Sequence, residues 1–236
     1  MIEGVSDRLI VALDFPDARA ALALVDRLEG AVSWFKVGLE LYIAEGNALI
    51  SELQRRGFSV FLDLKLHDIP NTVASAVRAA SRLGVKMLTV HASGGPAMLA
   101  AAAEAAGTGL DLLAVTVLTS MDTIQLEATG VPANPAEQVE KLATLAFANG
   151  IRGFVCSPME VANLRSRFGP KPLLVTPGIR PDGSEPGDQR RMATPAAAMT
   201  AGASYLVVGR PISRAADPAA AAKSIVVEMQ TAVVVG

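Results

Sequence analysis

Short β-branched or aliphatic runs alternate with Ala-rich stretches along the whole chain, a pattern that specifies parallel strands joined by crossover helices. Eight such pairs can be counted. The predicted strands run from Leu9 to Asp14, Trp34 to Gly38, Ser59 to Asp63, Met87 to His91, Leu112 to Leu118, Gly153 to Cys156, Leu173 to Thr176 and Tyr205 to Gly209. Helices are expected to begin near Asp17, Glu40, Pro70, Gly95, Pro135, Pro158, Met192 and Pro211. Several of these starts carry start chemistry, as in Asn134-Pro135, Ser157-Pro158 and Pro70 after Ile69, because proline at the first helical position loses no hydrogen bond. Eight units fill the sequence without a remainder. The expected fold is therefore a (β/α)8 TIM barrel formed by residues 1–236 as one α/β domain, since closing eight parallel strands removes both sheet edges. An open dinucleotide-binding sheet lacks support, because no Gly-x-Gly-x-x-Gly follows the first strand.

One connection breaks the rhythm. Residues 177–191, rich in Gly and Pro, form a loop far longer than the usual two to six or so residues. It follows the seventh strand, where barrels commonly grip phosphate, so a lid carrying Arg180 and Gln189 is expected there.

Bulk composition narrows the field further. The 236 residues are 51% hydrophobic and 19% charged, enough apolar material for a large core and too much for a disordered chain. A net charge of −2 offers no basic face to nucleic acid or to anionic lipid, so any recognition of phosphate must be local. No uninterrupted apolar run reaches the length of about 18 residues that a membrane span needs, and the start of the sequence has no export signal. Cys156 is the only cysteine, which fits a reducing, cytoplasmic setting, and its place in an apolar strand predicts a buried, inert thiol.

Candidate chemistry gathers at the C-terminal ends of the predicted strands, the face on which barrel active sites are built. Asp14, Lys36, Asp63, Lys65, Asp68, His91, Thr119, Ser120, Arg180 and Arg210 fall there. Side chains alternate along a strand, so Asp63 and Lys65 point the same way. Lysine and aspartate inside Trp34-Phe35-Lys36-Val37-Gly38 and Leu62-Asp63-Leu64-Lys65 are costly to bury unless paired. Lys36, Asp63, Lys65 and Asp68 sum to zero, so a chain of alternating signs is expected. Its alternatives are an ion-pair network that merely closes the barrel mouth, or a catalytically silent phosphate-binding barrel. Gly209 allows a ligand close approach at the end of the eighth strand, and Arg210 adds a charged donor; with Arg180 and Gln189 they make a phosphomonoester site. Metal is poorly supported, because His67 and His91 lack metal spacing and the carboxylates compete with two lysines for the same space.

The block Asp63-Leu64-Lys65-Leu66-His67-Asp68-Ile69-Pro70-Asn71-Thr72 is highly specific. Together with Val11-Ala12-Leu13-Asp14, Lys36-Val37-Gly38, Leu118-Thr119-Ser120, Thr176-Pro177-Gly178-Ile179-Arg180-Pro181 and Val208-Gly209-Arg210-Pro211, it resembles the orotidine 5′-monophosphate decarboxylase family over essentially the whole chain. The resemblance implies conversion of orotidine 5′-monophosphate to UMP and CO2, the last step of pyrimidine nucleotide synthesis, with no cofactor and no metal. It implies that Lys65 protonates C6 of the pyrimidine, with Asp63 beside the departing carboxylate and Lys36 bridging toward the ribose. Asp14 would bind ribose hydroxyls, Thr119 the pyrimidine edge, and Arg180, Gln189, Gly209 and Arg210 the 5′-phosphate. A homodimer is implied as well, with Asp68, Ile69 and Thr72 reaching into the partner's site. The hexulose-phosphate synthases and ketogulonate-phosphate decarboxylases share the third-strand charges but use Mg²⁺; Ile69-Pro70-Asn71-Thr72 and Arg180 favour the nucleotide enzyme.

Overall fold

The computed structural model describes residues 4–28, 30–181 and 191–233. Eight strands close in sequence order into one parallel barrel: β1 (Leu9–Leu13), β2 (Trp34–Gly38), β3 (Ser59–Leu66), β4 (Met87–His91), β5 (Asp111–Val115), β6 (Gly153–Val155), β7 (Leu173–Thr176) and β8 (Tyr205–Val208). The ring closes where Ile10 of β1 registers with Val207 of β8. No edge strand is left, as the eightfold alternation predicted.

Alternation along each strand sorts the core into two layers. Leu9, Val11 and Leu13 face the helices, whereas Ile10 and Ala12 face the barrel axis. Phe61, Met87, Leu113, Val175, Tyr205 and Val207 join them to fill the interior. The outer layer packs against α1 (Ala18–Leu28), α2 (Leu39–Arg55), α3 (Pro70–Leu83), α4 (Gly95–Ala106) and their successors, each presenting an apolar stripe. Both strand faces are therefore dry. A charged residue near the C-terminal end of a strand, on an inward position, reaches water through the barrel mouth.

Beyond the fourth helix the chain departs from the expected spacing. The fifth strand ends at Val115 and not at Leu118, and a short helix, α5 (Thr123–Ala128), precedes α6 (Pro135–Ala148). Asp122 and Gln125 close a reciprocal capping box on α5, a sequence signal of the Asp-x-x-Gln kind. Pro158 opens a 3-10 turn, Pro158–Glu160, which leads into α7 (Val161–Phe168). The helix expected near Met192 starts at Pro195, as α8 (Pro195–Thr200), because Thr194 supplies the cap. After β8 comes a single turn, α9 (Arg210–Ser213), before the final long helix α10 (Pro218–Val233).

Residues 182–190 of the expected lid, Gln189 among them, lie outside the described residues. The two ends of that loop are pinned together by an Ile179–Ala193 bridge, with the Arg180 N–H donating to the Ala193 carbonyl at 3.0 Å.

Neighbouring strands approach closely at Gly153 of β6. A side chain on Gly153 would place its Cβ 2.8 Å from the Leu112 carbonyl oxygen and 2.4 Å from Leu113 Cδ2, and the first of these is backbone that cannot swing away. Gly153→Ala is expected to destabilise the fold by about 1–3 kcal/mol, read as a lower denaturant midpoint at unchanged slope.

Candidate active site

Three inward positions at the top of adjacent strands carry the chemistry. Lys36 follows Trp34 on the inner face of β2, Asp63 follows Phe61 on β3, and Thr89 follows Met87 on β4. Gly38 lies against Asp63 in register, and a Cβ there would come within 3.0 Å of Lys36 Nζ, so its bareness leaves room for the ammonium.

β3 does not continue regularly through this point. Leu62 pairs with Leu88, yet Leu66 pairs with Val90, so β3 spends four residues where β4 spends two. Lys65 sits inside this irregularity with φ at +51°, the only non-glycine residue in the left-handed region among the described residues. That backbone costs on the order of 1–3 kcal/mol, and such strain persists only where neighbours hold it. Asp63 and Lys65 do meet, at 2.8 Å between Oδ2 and Nζ, but through a bulge and not through simple alternation.

The result is a compact charge cluster. Asp63 Oδ2 also lies 3.7 Å from Lys36 Nζ, which in turn donates to Asp14 Oδ1 at 3.0 Å. The side chains of Lys36 and Asp63 are only 12% and 13% exposed, Lys65 31% and Asp14 65%, so the cluster runs from a dry interior outward to solvent. Asp14, and not Asp68, supplies the second carboxylate within the chain. Asp68 is exposed and accepts from the Ile69 N–H at 2.6 Å; Ile69 and Thr72 are exposed beside it. Beside the cluster lies a cavity of about 180 Å³ lined by Lys36, Asp63, Lys65, Thr119, Pro177 and Val207, among others. A second hollow of about 230 Å³, bordered by Asp14, Gly38 and Glu40, shares the same three charges.

Two further cations follow β7 and β8, next to the Asp14 end of the cluster. Arg180 donates to the Ile179 carbonyl at 2.9 Å, and its pKa is held below the usual guanidinium value by burial and by repulsion from Arg210. Two guanidiniums that repel one another are stabilised by an anion between them. Gly209 precedes Arg210 and abuts Ala12 and Asp14. His67 is exposed, with its ring 5.5 Å from that of His91, and burial with the neighbouring His67 and Lys65 lowers the His91 pKa. Burial pushes the Cys156 thiol up to about 12, as its apolar strand predicted. Among the described residues no three His, Cys, Asp or Glu side chains cluster as metal ligands.

Two features had no place in the sequence reading. Thr89 is fully buried and bonded to both Asp63 and Lys65. Glu160 and Arg191 form a buried ion pair, and Arg191 also donates to the Leu118 carbonyl at 3.1 Å, which anchors the turn before Thr119. A polar residue on an otherwise apolar strand, and an acid in the Ser-Pro-x-Glu start of a helix, were the available signals.

Burial raises the Asp63 carboxyl, but Lys36, Lys65 and the Thr89 hydroxyl more than reverse it, so its folded pKa lies below the ordinary value. A depressed carboxylate stabilises the fold above its unfolded pKa and loses that contribution as pH falls through the folded one. Wild type should therefore exceed Asp63→Asn in melting temperature near neutrality, with the gap narrowing below about pH 4.

The chain as a whole matches a known family. Residues 7–225 match the model of the "Orotidine 5'-phosphate decarboxylase / HUMPS family". The chain is 56% identical over 228 residues to an orotidine 5'-phosphate decarboxylase of Halorhodospira halophila, covering 95% of this chain and 97% of that one. It is 52% identical to the enzyme of the same name from Moorella thermoacetica, covering 95% and 92%. The crystal structure of orotidine 5'-phosphate decarboxylase from Lactobacillus acidophilus superposes with a TM-score of 0.84 at 40% identity, over 94% of this chain and 99% of that one. Sequence and barrel fold both match over nearly the whole chain: this chain belongs to the orotidine 5'-phosphate decarboxylase family.

Proposed function

We propose that this chain removes the carboxylate of orotidine 5'-phosphate to give UMP and CO2, with Lys65 as the proton donor to C6. The observation that carries the proposal is the Lys36–Asp63–Lys65 cluster lining a cavity at the barrel mouth, with the mutually repelling guanidiniums of Arg180 and Arg210 after β7 and β8. Breaking the bond between C6 and the carboxyl carbon leaves an electron pair in an sp² orbital that the ring cannot delocalise. The site must then stabilise a localised negative charge electrostatically. An ammonium about 4 Å away contributes roughly 4 kcal/mol at an effective dielectric near 20, close to three powers of ten. As CO2 departs, Lys65 Nζ gives its proton to C6, and the neutral amine recovers one from solvent once product leaves.

Asp63 has two roles in this proposal. Its Oδ2 keeps the Lys65 ammonium charged and aimed, and its negative charge faces the substrate carboxylate that is to be lost. Lys36 links Asp63 to Asp14, so the ribose hydroxyls would meet Asp14 and Lys36 while the pyrimidine edge meets Thr119. The 5′-phosphate would lie between Arg180 and Arg210 beside Gly209; Gln189 and the lid over residues 177–191 belong to this part of the proposal on sequence grounds alone. Grip on this remote dianion supplies binding energy that can be spent at the reacting carbon. The whole chain is taken as one catalytic barrel. No helix among the described residues is long and apolar enough to cross a membrane, and the lone buried thiol fits a cytoplasmic enzyme.

A homodimer completes the proposal. Leu39 and Ile43 at the start of α2 and Ile69 at the start of α3 are large apolar side chains left 48%, 80% and 67% exposed, on neighbouring helices at the mouth. Covering them with a second copy would bring Asp68 and Thr72 toward the partner's substrate. No cofactor is required by this chemistry.

Two experiments test the reading. Lys65→Ala should lose at least about three orders of magnitude in turnover, by loss of substrate absorbance, while the circular dichroism spectrum stays native and EDTA leaves the wild-type rate unchanged. Ordinary turnover in that variant removes the proton-donor role. Mixing inactive Lys65→Ala with inactive Asp68→Ala protomers should restore activity, since one site of each mixed dimer keeps both intact residues; no recovery after subunit exchange argues against a shared site.

A further inference from the structure

We infer that Thr89 is a positioning residue for the decarboxylation, acting through both Asp63 and Lys65; the inference rests on the function proposed above. The inner wall around it is apolar, with Phe61, Met87, Leu113 and Val207, so a hydroxyl there is not needed to fill the barrel. It is fully buried, yet satisfied on both sides. The Lys65 backbone N–H donates to Thr89 Oγ1 at 2.8 Å, and the Thr89 hydroxyl donates to Asp63 Oδ1 at 2.9 Å.

The direction of these bonds is fixed by chemistry. A backbone N–H can only donate and an ionised carboxylate can only accept, so the single hydroxyl proton must point at Asp63. Two consequences follow. Oδ1 is occupied, which turns Oδ2 toward the ammoniums of Lys65 at 2.8 Å and Lys36 at 3.7 Å. At the same time the Lys65 amide is tied at the point where its backbone adopts φ +51°, inside the stretch where β3 spends two extra residues against β4. One hydroxyl thus sets the carboxylate rotamer and the backbone from which the proton donor projects. A valine of the same shape would do neither, although its β-branched side chain suits a strand.

The charged and titratable groups that face this hydroxyl and its carboxylate are Lys36 on β2, Lys65 on β3 and the imidazole of His91 on β4, with Asp14 beyond Lys36. Removing the hydroxyl takes one hydrogen bond from the charged form of Asp63, so its titration should move upward against an otherwise unchanged set of neighbours.

The test compares wild type, Thr89→Val, Thr89→Ser and Lys65→Ala for kcat, KM, the acid limb of the kcat profile and hydrogen exchange at the Lys65 amide. Thr89→Val should lose roughly 10- to 100-fold in kcat, about 1.4–2.7 kcal/mol of activation free energy, with KM changed less than about threefold. Its acid limb should shift to higher pH and its Lys65 amide should exchange faster. Thr89→Ser should recover all three. Should Thr89→Val fail to fold, Thr89→Ala removes the same hydroxyl without crowding and carries the same expectations. Wild-type kcat and pH profile in the hydroxyl-free variant, or a serine variant as impaired as valine, overturns the inference. Loss of activity in Lys65→Ala with a normal Thr89→Val would refute the role of Thr89 alone, whereas an active Lys65→Ala would refute the function on which it rests.

Discussion

Burying charge at the mouth of a dry barrel is the constraint that shapes this molecule. Lys36, Asp63 and Lys65 each would cost several kcal/mol if taken from water alone. Together they are tolerable, because one carboxylate oxygen serves two ammoniums and the other is bonded to a hydroxyl. The net positive balance of two lysines around one aspartate is then offset by Asp14 at the solvent edge. A cluster with one cation in excess at its dry end is suited to hold a substrate that develops negative charge there, and this is the demand that a decarboxylation at C6 makes.

The barrel supplies what such a cluster requires. Closed parallel strands place successive inner side chains in layers, so the apolar plug of Ile10, Phe61, Met87 and Leu113 seals the floor beneath the charges. The top layer borders the mouth, so charged groups there can reach solvent. Among the described strand pairings, the register shift falls at the working point. The bulge of β3 brings Lys65 back over Asp63, and a regular strand would have carried the lysine one layer higher. The buried Glu160–Arg191 pair performs a similar service across the mouth, tying the end of one loop to the turn that carries Thr119.

Much of this was legible in the sequence, and the parts that were not share a cause. Eight strand and helix pairs specify closure because each apolar run is local and strong. Lys36, Asp63 and Lys65 stand out because ionised residues inside apolar strands need partners. The bulge left no local trace, since a register shift is a relation between β3 and β4 and Lys65 is not a residue that favours the left-handed region. Thr89 was hidden by its own suitability, for threonine is an ordinary strand former and its hydroxyl means nothing until Asp63 lies beside it. The short helix at Thr123 was readable from the Asp122–Gln125 capping box, but extending the fifth strand to Leu118 left less room to expect it. Asp68, by contrast, fits the charge alternation in sequence yet stands clear of the cluster within one chain, because β3 ends at Leu66 and the chain turns outward before it.

Whether the ammonium of Lys65 is aimed at the reacting carbon is the question on which the rest turns. The most direct measurement is a crystal structure of the protein with a UMP analogue that carries an anionic oxygen at C6. The account predicts Lys65 Nζ within about 3 Å of that oxygen, with Asp63 still bonded to Thr89 and the phosphate between Arg180 and Arg210. A nucleotide bound with its C6 away from the cluster, and Lys65 turned out to solvent, would contradict it.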